Sequence, residues 1–215
     1  MSFSRRRYYL LAVLTGLALL VFIPGVRTFC LRLPGRALVI PEQPVTSADA
    51  IVLTVDVYKS GALDAADLVH RGVATRVAVF SEVPDEPSRE FQRRGVTYRH
   101  RESVSSDELS ELGIRDVVMI PTPVTGSESE GEVLPAWCER NQVRSVLVVV
   151  NPDHSRRMRR ILRRGMKGHT VALSIYPSRY SGLDPNAWWK TRSGTRDVIV
   201  EFEKLAFDVA RHPFS

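Results

Sequence analysis

Hydrophobic and polar positions follow three different patterns along this chain, and each predicts a different kind of element. The first is a long apolar run from Tyr8 to Val26, relieved only by small residues, Thr15 and Pro24, and free of charge. At about 1.5 Å per residue, roughly 19 helical residues span about 28 Å, close to the roughly 30 Å hydrocarbon core of a bilayer. The run therefore predicts one transmembrane helix. Leu33 to Ser47, holding Pro34, Gly35, Pro41 and Pro44, reads as an extended connector.

The second pattern is a series of short, β-branched, nearly continuous apolar runs: Ala50–Thr54, Arg76–Phe80, Val117–Ile120, Ser145–Val150 and Thr170–Tyr176. Runs of this kind suit strands covered on both faces, as in parallel sheets. The third pattern is helical spacing between them, over Leu63–Arg71, Glu86–Arg94, Glu130–Asn141 and Ser155–Arg164, with Ser103–Leu112 as a further candidate. Strands alternating with helices predict βαβ units and a doubly wound, mostly parallel α/β sheet in three layers. From Arg196 on, Val198, Ile199, Phe202, Leu205, Ala206 and Val209 recur at helical spacing, which predicts a last helix with its apolar stripe on the sheet. The chain divides into a basic flank (1–7), a membrane helix or signal anchor (8–26), a linker (27–46) and one α/β domain (47–215).

Charge refines this division. Arg5, Arg6 and Arg7 precede the apolar run, and basic residues on that flank predict a cytoplasmic N-terminus with the domain outside the plasma membrane. Arg27, Arg32 and Arg36 beyond the run weaken the asymmetry. A cleaved signal peptide would have a shorter apolar core and small residues at its cleavage site; Pro24, Gly25, Val26 and Arg27 offer neither. The net charge is +6, and seven basic residues lie between His154 and His169 with no acid among them; subtracting those seven leaves −1. So concentrated a charge fits an anionic membrane surface or an anionic ligand better than a nucleic-acid-binding face. Cys30 and Cys138 are the only cysteines, too few for a disulfide framework.

Ligands of open α/β sheets bind outside the carboxyl ends of the strands, which directs the search to the loops after strands. The fourth such loop, Asn151 to Ser155, runs straight into the arginine-rich helix. With His154, Arg156 and Arg157 beside it, that helix N-terminus can hold a phosphate or carboxylate; equally, Asp153 can be a simple cap and the arginines a solvated face. The third loop carries Thr125, Ser127, Glu128, Ser129 and Glu130. Glu130 is either a first-turn carboxylate or an acid/base partner for His154. The five histidines are scattered without ligand spacing, so no metal site is predicted, and no Walker loop, G-x-G-x-x-G turn or G-x-S-x-G elbow names a cofactor. Trp188 and Trp189 read as core, as a lipid-interface contact or as a pocket wall.

Together these residues resemble the YdcF/SanA/ElyC family of bacterial envelope proteins. The resemblance covers roughly Ser47 to Asp208. It rests on Ala48 to Leu53, on Ala62, Ala65 and Leu68 leading to Gly72-Val73-Ala74, and on a second strand ending at Ser81. It continues through Leu112-Gly113-Ile114, Thr125 with Glu130, Val148 to Val150 before His154-Ser155-Arg156-Arg157, and Trp188-Trp189 with Arg192, Glu201 and Lys204. It implies a Rossmann-like domain, often behind one membrane helix, in proteins tied to envelope integrity and peptidoglycan-related processes. The family's motif positions fall on Ser81, Thr125, Glu130, His154 and Arg157. Relatives carry glycines after the first strand where Thr54, Val55, Asp56 and Val57 stand, and after Ser81 where Glu82 and Val83 stand; an arginine typical of the first helix is missing at Ser60-Gly61.

The functional expectation is a membrane-anchored envelope factor binding an anionic small molecule or lipid-linked precursor. In it His154 and Glu130 are the acid/base pair, and Asp56, Ser81, Thr125, Ser127, Arg156, Arg157 and Arg192 are the ligand contacts. The rival is a non-catalytic scaffold whose arginine helix meets membrane lipids or a protein; a third reading is a nucleotide-cofactor-dependent transferase.

Overall fold

A computed structural model describes residues 2–96 and 100–215; Met1 of the basic flank lies outside them. The strands β1 (Ala50–Leu53), β2 (Arg76–Glu82), β3 (Asp116–Val124), β4 (Ser145–Val150) and β5 (Ala172–Pro177) form a single parallel sheet in the order β3-β2-β1-β4-β5. Their apolar runs are continuous because both faces are covered. Val146, Val148 and Val150 of β4 enter one core with α6 (Ser127–Arg140) and α7 (Ser155–Gly165). Leu147 and Val149 enter the other with α3 (Tyr58–His70) and α5 (Arg101–Glu111). This is the α/β, three-layer arrangement expected of a Rossmann-like domain. The short α4 (Glu86–Arg93) follows β2.

Several boundaries differ from the sequence pattern. Helix α3 starts at Tyr58, one turn before Leu63, since Gly61 leaves room for Val57: a Cβ there would stand 2.3 Å from Val57 Cγ1. The candidate helix Ser103–Leu112 exists as α5. Strand β3 runs on past Ile120 to Val124, with a register shift between Phe80 and Glu82 of β2. Glycines end α3 and α5 with positive φ, +77° at Gly72 and +86° at Gly113, where a β-carbon would be strained.

The N-terminal expectation of one continuous helix over 8–26 is corrected. The chain forms α1 (Ser2–Phe22) and α2 (Pro24–Leu38), with Ile23 extended between them. Proline lacks the N–H for the i−4 bond and its ring opposes that carbonyl, so Pro24 ends one helix and occupies the first turn of the next. The segment expected as linker is thus helical to Leu38 and extended only beyond it. Among the described residues no single helix is long and apolar enough to cross a membrane; Arg7–Leu19 and Pro24–Leu38 meet that test only as a pair, bent by 90°.

The last helix also departs from expectation. Helix α8 (Arg192–Arg211), preceded by a 3₁₀ turn at Trp188–Lys190, has α2, α7 and that turn as its main neighbours, rather than laying its apolar stripe on the sheet. The polar Glu201 and Asp208 are buried, whereas Ile199, Phe202 and Val209 are exposed. The cause is across the interface. Arg157, Arg160 and Arg164 share one face of α7 by i, i+3, i+7 spacing, and Glu201 and Asp208 match them from α8. Arg157 pairs with Glu201 at 2.9 Å; Arg160 and Arg164 pair with Asp208 at 2.6 and 3.1 Å.

Candidate functional site

Beyond β1 the chain builds the sheet outward through β2 and β3, then returns to lay β4 on the opposite side of β1. The carboxyl ends of β1 and β4 therefore flank the topological switch point, where the following loops diverge and leave a crevice. The loop after β1 brings Asp56 to it, and the loop after β4 brings Asn151, Asp153 and His154. A cavity of about 490 Å³ opens there, closed on its far side by Gly194, Asp197 and Glu201 of α8.

Asp56 is the hinge of the arrangement. Thr54 Oγ1 donates to its Oδ1 at 2.8 Å, Asn151 Nδ2 donates to its backbone carbonyl at 2.8 Å, and its Oδ2 meets His154 Nδ1. The other ring nitrogen, Nε2, lies 3.2 Å from Glu201 Oε1 and 3.5 Å from Asp153 Oδ2. Glu201 in turn accepts from Arg157 Nε and Nη2 at 2.9 and 3.2 Å and from Lys204 Nζ at 2.7 Å. Beneath the loop, Glu130 Oε1 accepts the Val55 N–H at 2.7 Å, and its side chain is almost wholly buried.

This geometry sets the protonation states. Burial disfavours a charged His154, but the hydrogen bond and charge of Asp56 outweigh it and raise the imidazole pKa. Burial likewise pushes Asp56 upward, yet its bond to His154 wins and holds the carboxyl below the ordinary range. Glu201 is also held low, the pairing with Arg157 overcoming its burial. Asp153, short of such partners, is raised by burial. Glu130 goes furthest, to about 8, through burial and the neighbouring Asp56 charge, against the pull of the Val55 N–H. The site thus favours the protonated form of an imidazole set between two carboxylates held low, and Glu130, near 8, is protonated at neutral pH beside Asp56. Such a set can donate protons or hydrogen bonds to a ligand.

Of the sequence-predicted residues, the structure brings together Asp56, Glu130, His154 and Arg157. Arg157 serves through Glu201, its guanidinium turned from the cavity into the α7–α8 interface. Arg156 is half-buried and reaches back to the Ala37 carbonyl of α2. Ser81 is buried at the end of β2, one strand away; Thr125 and Ser127 stand at the start of α6, where the Thr125 N–H donates to Ser129 Oγ at 2.9 Å. Arg192 opens α8, exposed and outside the cavity lining. The cap that Asp153 could have supplied does not form: His154 occupies the N-cap position without a side-chain bond.

Glu201, Asp153, Asn151 and Lys204 join the site without having been chosen from sequence. One signal pointed to Glu201: the seven-residue step from Glu201 to Asp208 repeats the step from Arg157 to Arg164. Among the described residues no group of three or more His, Cys, Asp or Glu is arranged to hold a metal ion. No protein-family model matches the chain, and no curated protein matches it.

Proposed function

We propose that this chain is a cell-envelope factor, held at the plasma membrane by its N-terminal helices, whose switch-point cavity binds a small polar ligand or the head of a lipid-linked precursor. The observation that carries the reading is His154, fixed between Asp56 and Glu201 at the mouth of the crevice, with a protonated Glu130 behind it. A cavity of about 490 Å³ lies within the usual range for small-molecule sites.

The lining indicates which part of a precursor fits. Asp56, Asp153, Asp197 and Glu201 contribute carboxylates, against Arg196 and Lys204. A hydroxyl- or amine-bearing group, such as a sugar, meets these acceptors well, and an attached phosphate falls to Arg196 and Lys204. His154, oriented by Asp56 at Nδ1, can then pass a proton from Nε2 to a basic atom of the ligand and recover one from water. A carboxylate after β1 opposes a pyrophosphate at the position where dinucleotide sites hold theirs, which argues against the nucleotide-cofactor reading. The membrane part is supported by exposed apolar side chains along α1, from Tyr8 to Phe22, behind Arg5, Arg6 and Arg7. The family resemblance supports the same placement, with the N-terminus cytoplasmic and the domain outside.

One observation favours binding without catalysis: both ring nitrogens of His154 already face carboxylates. Native mass spectrometry of the full chain extracted from envelope in mild detergent distinguishes the readings. A co-purifying glycan-bearing species, lost in Asp56→Asn and retained unaltered in His154→Ala, marks a binder. The same species chemically changed on incubation by the natural chain and unchanged by His154→Ala marks an enzyme. No ligand species in any preparation contradicts the cavity reading. Protease protection of the domain in intact spheroplasts contradicts the outward orientation.

A further inference from the structure

Helix α2 has two unlike faces. Its inner face is tied to the domain at several points: Trp188 Nε1 donates to the Leu31 carbonyl at 2.6 Å, and Arg36 Nε donates to Asn186 Oδ1 at 2.6 Å. A Cβ on Gly35 would stand 2.2 Å from the Pro185 carbonyl oxygen, so the backbones meet there directly. Just past the helix the Ile40 N–H donates to Ser155 Oγ at 3.0 Å. On the outer face Val26, Phe29 and Leu33 follow i, i+3, i+7 spacing, and Phe29 is 61 % exposed. Arg27 flanks this stripe on one side and Arg32 on the other, and α2 contains no acid.

We propose that α2 lies in the plane of an anionic bilayer surface, with Val26, Phe29 and Leu33 in the headgroup–acyl boundary and Arg27 and Arg32 at the lipid phosphates. The inference rests on the membrane-anchoring part of the proposed function. Three features converge on lipid as the occupant. The stripe continues directly from the exposed apolar α1. The 90° bend lets one helix enter the bilayer while the next runs along its surface. An apolar stripe bordered by arginines is the composition of an in-plane amphipathic helix, which buries about 5–10 Å into the interface. Because Ser155 follows His154, an in-plane α2 also holds the cavity at a fixed height and tilt above the membrane.

Site-directed spin labelling of the full chain in phosphatidylcholine–phosphatidylglycerol vesicles tests this. Cys30→Ser removes one native thiol, and Cys138 is buried with its pKa pushed up to about 12, so it stays protonated and unreactive. Nitroxides go singly at Phe29→Cys, Leu33→Cys, Leu14→Cys in α1 and Glu111→Cys at the exposed end of α5. Collisional relaxation by oxygen against a water-soluble nickel complex reads depth. The expected result places Phe29 and Leu33 shallowly in lipid, Leu14 deep and Glu111 in water. Phe29 and Leu33 as wet as Glu111, with Leu14 deep, overturns the in-plane helix and leaves the anchor standing. Leu14 in water with Phe29 and Leu33 in lipid supports the in-plane helix and removes the anchor; all in water removes both. Spin–spin broadening between chains at Leu33 assigns the stripe to a second copy and overturns the proposal.

Discussion

The sheet core and the α7–α8 interface are both largely closed to water, yet they are made from opposite materials. Around β1 and β4 the interior is valine, leucine and isoleucine, stabilised by burial without regard to direction. Between α7 and α8 it is arginine against carboxylate, where desolvation cancels much of the Coulomb attraction and the net gain is small. What the charged interface adds is direction. A paired Arg157 and Glu201 admit few arrangements, and Glu201 Oε1 is the group that meets His154 Nε2. The core supplies stability, and the ion pairs supply the alignment of the site.

Breaking one member of the charged interface should have the largest effect. Arg157→Ala leaves Glu201 buried and short of its main partner, and is expected to cost about 3–5 kcal/mol in urea unfolding of the detergent-solubilised chain. The buried acid beneath the site should show itself through pH. Glu130 titrates near 8 when folded and near 4.5 when unfolded. The folded state therefore binds the extra proton between those values, and stability falls as pH rises through that window. His154, also raised, acts in the same direction above its ordinary value near 6.5. Asp56 and Glu201, held low, contribute stability above their unfolded values that is lost as pH falls through their folded ones. Glu130→Gln should gain on the order of a few kcal/mol over the natural chain at pH 8 and almost nothing at pH 4. Equal pH profiles would remove the account of Glu130.

In the apolar region Leu147→Ala, at a fully buried position of β4, should cost about 3 kcal/mol with little change to the His154 titration. The double variant Arg157→Met with Glu201→Leu sharpens the contrast most. It should stay within about 1 kcal/mol of the natural chain in stability, yet lose ligand retention by native mass spectrometry, because the cavity wall has lost the Glu201 carboxylate. A large loss of stability there would make the ion pair a structural necessity instead.

How much of this was legible depended on whether a residue's role was local. The strands were readable because covering both faces of a parallel strand demands an apolar run, and Val146 to Val150 has no other use. His154, Asp56 and Glu130 stood on loops after strands or at helix starts, where the fold class alone directs attention. Glu201 and Asp208 were not readable as buried, since an acid among polar helix positions looks solvated until the arginines of a helix some 40 residues earlier are laid against it. That same pairing turned Arg157, Arg160 and Arg164 inward, against the reading of an open basic face. At the N-terminus hydropathy described the composition of the apolar run, but the missing N–H of Pro24 decided its geometry.

The most direct test of the account is the titration of His154 in the full chain, followed by NMR with isotope-labelled histidine and assigned by comparison with His154→Gln. An apparent pKa above the ordinary value near 6.5 is expected, falling when Asp56→Asn removes the carboxylate from Nδ1. An imidazole that titrates at or below 6.5 and does not respond to Asp56→Asn would contradict a proton-holding site at the switch point.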